Sequence, residues 1–393
     1  MAGTIVESEL TARPSSAVRF ALAQKEDDLA IRRLLRNNPM RGAISVSFER
    51  EPGYFQGVEV AGAVDKAILA FENDRPVCMG RCSIRDRYIN GETHRVGYLS
   101  DLRLDSSVQG RFDILRRGYQ FFHELERNNP ADFYFTSITM DNSRSLRLLQ
   151  RGLPGMPRYE PLADFVTLFV PVPGRANRLK ESREGALSPI KSNGLEWVPG
   201  TDISIRALVD FLNSRAGRYH LAAAWTEENL LSLQHHGLSL SDFKILMNKG
   251  EIIGCAGIWD QRDFKQIVIR GYDRRLSLAR PLINLGARLF GFPQLPPVGS
   301  IVAHGVLSPL AVAPDEMQSL PAMIELSLSS ASRRGLEFLC LGFANGDPHL
   351  AMVRKRFRCR EYRNRLFQVI WKSGNSAMIT LSGNLISPEV ALL

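Results

Sequence analysis

The residues best placed to do chemistry sit in a six-residue polar turn, Ser106-Ser107-Val108-Gln109-Gly110-Arg111, between two structured runs. Before it, Thr93 to Asp105 has strand character, with Val96, Tyr98, Leu102 and Leu104 spaced mainly by two. After it, Phe112, Leu115, Tyr119, Phe122 and Leu125 recur at helical steps, with Arg116, Arg117, Glu124 and Arg127 on other faces. A strand feeding a helix through a short polar turn leaves free N–H groups at the helix start, which together with the helix dipole form an anion site. Gln109 and Arg111 could touch phosphates there. The same pattern also fits an ordinary connection, with Arg111 a solvated helix-start charge. Other reactive residue types carry less. His304 stands in an apolar strand and reads as a buried structural histidine, and His94 as a surface one. His220, His235 and His236 lack partners at metal-ligand spacing. Asp347-Pro348-His349 reads as a helix cap. Ser308-Pro309-Leu310 is not part of a G-x-S-x-G nucleophile elbow.

The elements that must position this turn extend over most of the chain. Ala17–Ala23 reads as a strand, followed by a helix with Leu29, Ile31, Leu34 and Leu35 on its apolar side. Residues 43–50 alternate as a strand. A hairpin around Asn73-Asp74 and a turn at 90–92 lead into the strand at Thr93. Residues 132–140 form a buried strand, a helix opens near Asn142, and a strand through Leu168-Phe169 closes the half. Residues 171–194 are rich in Pro, Gly, Ser and charge and read as a linker. From residue 195 the plan repeats weakly, ending in a helix over 348–357 and a strand through Leu366-Phe367. The expected layout is thus a loosely attached segment 1–16, one domain over 17–170, the linker, and a second over 195–393. The fold class is mixed α/β, each domain a twisted, mostly antiparallel sheet flanked by helices.

This order resembles the GNAT superfamily of acyl-CoA-dependent N-acyltransferases, here as a tandem repeat. The carrying residues are Leu102 and Leu104 at the end of the fourth core strand, Gln109 and Gly110 at the start of a coenzyme A phosphate loop, and Asn142 opening the later helix. The resemblance implies an N-acyltransferase using acetyl-CoA or another acyl-CoA, without a metal, on a small-molecule or peptide amine. It implies cofactor contacts from Leu102, Leu104, Gln109, Gly110, Arg111, Phe112, Asp113 and Asn142. It also implies a base on the fourth strand, Asp101, with Tyr98 as a second candidate; a solvent-facing aspartate is the competing reading. Phe112 and Ile114 depart from the small residues of the family loop, and a phenyl ring there would crowd a phosphate. Leu148 and Leu149 occupy the place of the tyrosine that protonates the leaving thiolate. In the second half Ala313–Pro321 holds the phosphate-loop position without glycine and with Asp315 and Glu316, so coenzyme is expected in the first half only. The departures also support an alternative, a non-catalytic tandem protein that binds a ligand or partner.

Composition bounds the rest. A chain of 393 residues with 44% hydrophobic content can build two cores. The formal charge of +9 is dispersed and reads first as the mildly basic surface of a soluble protein; it would also suit an anionic ligand or nucleic acid, but no nucleic-acid-binding motif is present. Five cysteines without a CxxC pair exclude a disulfide framework or zinc ribbon and suggest free thiols in a reducing cytoplasm. The first residues lack a secretory pattern, and no apolar run reaches membrane-spanning length.

Overall fold

The computed structural model describes residues 18–173, 195–290, 293–371 and 379–393. The expected N-terminal segment and nearly all of the expected linker lie outside these residues. The first half runs β1 (Arg19–Leu22), α1 (Asp28–Asn37), β2 (Ile44–Glu49), β3 (Val64–Glu72), β4 (Arg75–Ile89), β5 (Glu92–Leu104), α2 (Phe112–Glu126), β6 (Phe133–Thr139), α3 (Ser143–Gln150) and β7 (Arg158–Pro171). The second runs β8 (Leu195–Pro199), α4 (Ile205–Ala216), α5 (Glu227–Ser232), β9 (Phe243–Asn248), β10 (Glu251–Trp259), β11 (Gln266–Tyr272), α6 (Arg274–Phe290), β12 (His304–Val312), α7 (Leu320–Arg333), β13 (Phe338–Ala344), α8 (Pro348–Arg356) and β14 (Arg360–Ile370).

Local chemistry explains many of the joints. Asn73 and Asp74 both take positive φ, as do Asn90 and Gly91 and then Lys249 and Gly250. Two consecutive left-handed residues match the twist of a two-residue hairpin, so these three turns fix the β3–β4, β4–β5 and β9–β10 pairings. Asn142 caps α3 by accepting from Ser145 N at 3.1 Å, and Asp347 caps α8 by accepting from His349 N at 2.9 Å.

The two halves share one twelve-stranded, mostly antiparallel sheet in the order β1-β3-β4-β5-β6-β14-β7-β13-β12-β10-β9-β8. Each half supplies a parallel pair, β5 with β6 and β12 with β13. Their closing strands are exchanged: β14 pairs with β6, β7 pairs with β13, and β7 and β14 pair with each other over eleven residues of β14. The repeat is also visible in the connections, since a 3-10 turn precedes α2 at Ser106–Val108 and α7 at Pro314–Ser319. Strand β2 leaves the main sheet altogether. It pairs with β11 of the other half as a separate two-stranded ribbon. The five cysteines are free thiols, four of them buried.

Candidate functional site

The parallel ladder between β5 and β6 ends at Leu99↔Thr136. Beyond it β5 carries a bulge, because Arg81 faces Ser100 while Met79 faces Arg103. Asp101 sits in the bulge with φ 51°, a strained setting for a residue other than glycine. The bulge bends β5 away from β6, and a cavity of about 1180 Å³ opens where the strands part. Ser100 to Leu104 line one wall and Thr136 to Thr139 the other. The β2–β11 ribbon covers the cavity with alternate residues, Ile44, Val46 and Phe48 from one strand and Ile267 and Ile269 from the other. Its opposite face is polar, with Arg270 Nε donating to Ser47 Oγ and to Glu49 Oε1, each at 2.9 Å. Val390 to Leu393 complete the enclosure.

A charged cluster lies against the bulge. Asp101 Oδ2 is 3.8 Å from Arg50 Nη2 and 3.8 Å from Arg81 Nη1, and it is buried without a hydrogen-bond partner. Arg81 Nε donates to Asp65 Oδ1 at 2.5 Å. Burial would raise the Asp101 pKa, but the nearby charges of Arg50, Arg81, Arg103 and Lys265 outweigh it and hold the carboxyl below its usual range. Lys265 lines the same cavity and donates to the Leu393 carbonyl oxygen. Burial first, then the Arg50 and Arg81 charges, pushes its ammonium down to about 7, against the pull of Asp101. His304, also on the wall, has Nδ1 3.0 Å from the Val302 carbonyl oxygen, and burial lowers its pKa.

Six of the residues expected from sequence meet at this cavity: Tyr98, Asp101, Leu102, Leu104, Gln109 and Asn142. Tyr98 packs its ring 4.8 Å from that of Phe135, and burial keeps its hydroxyl protonated well above the usual range. Gln109 Oε1 accepts from Arg144 Nη1 at 3.5 Å. Gly110, Arg111, Phe112 and Asp113 do not line the cavity. Gly110 makes the turn with φ 92°, and the turn consumes its own donors: Arg111 N bonds Val108 O at 3.1 Å and Phe112 N bonds Gly110 O at 3.0 Å. The Arg111 guanidinium is held between Glu72 at 2.8 Å and Asp113 at 3.0 Å, and the Phe112 ring is 47% exposed. The anion site drawn from sequence at this turn therefore has two fewer N–H groups and one fewer free cation than expected.

Sequence reading missed Arg50, Arg81, Lys265 and the final residues. The signal at Arg81 was its place in an alternating polar row with Ser83, Arg85 and Arg87 along a strand that is buried over most of its length; Lys265 and Arg50 had none before the halves were brought together. Leu148 and Leu149 both line the cavity where a tyrosine was sought. A different tyrosine, Tyr362 of the exchanged strand β14, does line it, with its hydroxyl 3.6 Å from Met40 Sδ and its pKa raised by burial. The matching region beside β12 holds a cavity of only about 110 Å³, lined in part by Leu307, Pro309, Asp347, His349 and Glu389.

No protein-family model and no curated protein matches the sequence. Solved structures do. An N-myristoyltransferase from Saccharomyces cerevisiae with bound myristoyl-CoA aligns with TM-score 0.57 at 10% identity, covering 92% of this chain and 85% of that one. A GCN5-related N-acetyltransferase from Sphaerobacter thermophilus aligns with TM-score 0.53 at 14% identity, covering 91% and 96%. A second N-myristoyltransferase structure from Saccharomyces cerevisiae gives 0.56 at 11%, covering 93% and 82%. Likeness at such identities is likeness of fold, and it extends over both halves. The chain has the GNAT fold, the architecture of the acyl-CoA N-acyltransferases.

Proposed function

We propose that the protein is an acyl-CoA-dependent N-acyltransferase whose chemistry takes place at the β5 bulge. The observation that carries this reading is the splay of β5 from β6 over a large, mainly apolar cavity with a buried, ionised carboxylate at its bend. The fit to an acyl-CoA is uneven along the ligand. The unpaired edge of β5 suits the pantetheine arm, and its N–H groups suit a thioester carbonyl. The apolar volume accommodates an acyl chain longer than acetyl. The phosphates fit poorly at the Gln109–Asp113 turn, whose donors are spent; Arg103 and Arg144, which line the cavity, are the cations available to them. Asp101 would receive the ammonium of the acceptor, and Lys265, half-neutral near pH 7, would take its proton. The free amine would then attack the thioester carbonyl; as the C–S bond breaks, Tyr362 would give a proton to the departing sulfur and regain one from the attacking nitrogen, which sheds it on becoming the amide. The site is thus composite, with β5 from one half and β11 and β14 from the other. Gln109 and Asn142 border the coenzyme side of it.

The non-catalytic reading keeps one specific support, the self-satisfied turn at Gly110. Titration calorimetry with acetyl-CoA, a long-chain acyl-CoA and free coenzyme A, followed by thiol release in the presence of amines, separates the two. Binding of the long-chain thioester with amine-dependent thiol release supports the enzyme. Binding without release supports the alternative, and no binding of any of the three refutes the enzyme and favours the alternative with a different ligand or partner.

A further inference from the structure

Helix α6, Arg274–Phe290, has an apolar face that the fold does not cover. None of its residues is buried. Leu278, Leu282, Leu285 and Leu289 follow one another at steps of four, three and four, so they form a single stripe, and they are 75%, 75%, 57% and 73% exposed. Single exposed leucines are ordinary, but an unbroken stripe marks an interaction surface. Arg274 and Arg275 precede Leu278 by four and three residues and Arg288 follows Leu285 by three, so cations border the stripe. No aspartate or glutamate occurs between 274 and 290. The other side of the helix is tied down. Arg280 Nε donates to Leu295 O at 3.1 Å and its guanidinium lies 5.4 Å from the Tyr272 ring centroid, while Asn284 exchanges two hydrogen bonds with the Leu295 backbone.

We propose that α6 seats the protein on an anionic bilayer surface, its leucines among the headgroups and its arginines on acidic lipids. Charge decides between the possible occupants. A second copy laid helix to helix would bring arginine rows together with no acid on the helix to answer them, whereas an anionic lipid surface complements them. The attachment is to the surface, because among the described residues no helix is long and apolar enough to cross a membrane. Pro293 to Pro296, which α6 holds through Leu295, form part of the wall of the large cavity, so docking would place that wall beside the lipid. The inference stands whether or not the acyltransferase reading does.

Flotation of the full chain with phosphatidylcholine vesicles, with and without phosphatidylserine, tests it. Wild type should bind only the phosphatidylserine vesicles, and less as salt rises. Arg274→Gln with Arg288→Gln should weaken binding roughly twenty-five-fold, about fivefold per charge. Leu282→Ser with Leu289→Ser, both at exposed sites, should weaken it at least about tenfold while the melting temperature holds. No binding to phosphatidylserine vesicles, or equal binding by both variants, overturns the proposal. So does a dimer seen by light scattering that dissolves in the leucine variant without any vesicle binding.

Discussion

Lys265 offers the sharpest check on the charged cluster. An unfolded lysine titrates near 10.5, whereas in the folded protein burial and the Arg50 and Arg81 charges bring Lys265 to about 7. The folded state therefore binds fewer protons than the unfolded state between those values, and stability contributed by this group rises with pH across that window. At 1.36 kcal/mol per pH unit the full gap opposes folding by about 5 kcal/mol, trimmed to about 4 at pH 7 where the folded amine is half protonated. Lys265→Met removes the penalty and keeps most of the aliphatic volume. Asp101 retains Arg50 and Arg81 as partners, so little of the gain is lost there. The variant should be more stable than wild type at pH 7 by a few kcal/mol, the advantage falling by about 1 kcal/mol from pH 7 to 8 and slightly more steeply from 8 to 9, once the folded amine is fully neutral. Urea denaturation of both proteins at several values between pH 7 and 9 measures this. Equal stability at pH 7, or a difference that does not change with pH, would refute the cluster as drawn. Turnover should fall in the same variant if Lys265 accepts the proton.

Asp101→Asn leaves Arg50 and Arg81 facing each other without their shared carboxylate. It should cost about 3 kcal/mol in a denaturant titration and lower acyl transfer roughly a hundredfold, with long-chain acyl-CoA affinity nearly unchanged; full turnover would remove Asp101 from the mechanism. Phe112→Gly, which the phosphate-loop comparison alone expects to tighten coenzyme binding, should shift calorimetric affinity by less than about twofold, because the ring lies off the cavity. It should cost up to about 1 kcal/mol of stability through glycine at a helix start. A tenfold gain in affinity would return the Gln109–Asp113 turn to the phosphates.

The parts of the structure legible in the sequence are those whose signals are local. Asn73-Asp74 and Asn90-Gly91 mark their hairpins because asparagine, aspartate and glycine tolerate positive φ. The stretch from Thr93 to Asn128 reads correctly as strand, turn and helix because its apolar spacing changes period within one segment. Asp347-Pro348 announces its helix start with a cap and a proline. Of the residues lining the cavity, Tyr98, Asp101, Leu102, Leu104, Gln109 and Asn142 were reached through the family resemblance, which the order of strand, turn and helix made recognisable.

What the tertiary structure alone decided are the pairings between distant segments. Strand β2 alternates in sequence like any half-buried strand, and nothing local says that its partner is β11, more than two hundred residues away. The same holds for β14, whose place between β6 and β7 brings Tyr362 to the cavity. Lys265 reads as a surface lysine until the ribbon folds it toward Arg50, Arg81 and Asp101, and only then does burial change its charge. In the turn at Gly110, sequence showed that N–H groups were there, while the folded backbone determined that those of Arg111 and Phe112 donate to the carbonyl oxygens of Val108 and Gly110. Periodicity and turn chemistry act over a few residues and are written in residue type. Strand exchange, desolvation and the direction of a donor depend on which surfaces meet, which a one-dimensional pattern does not encode.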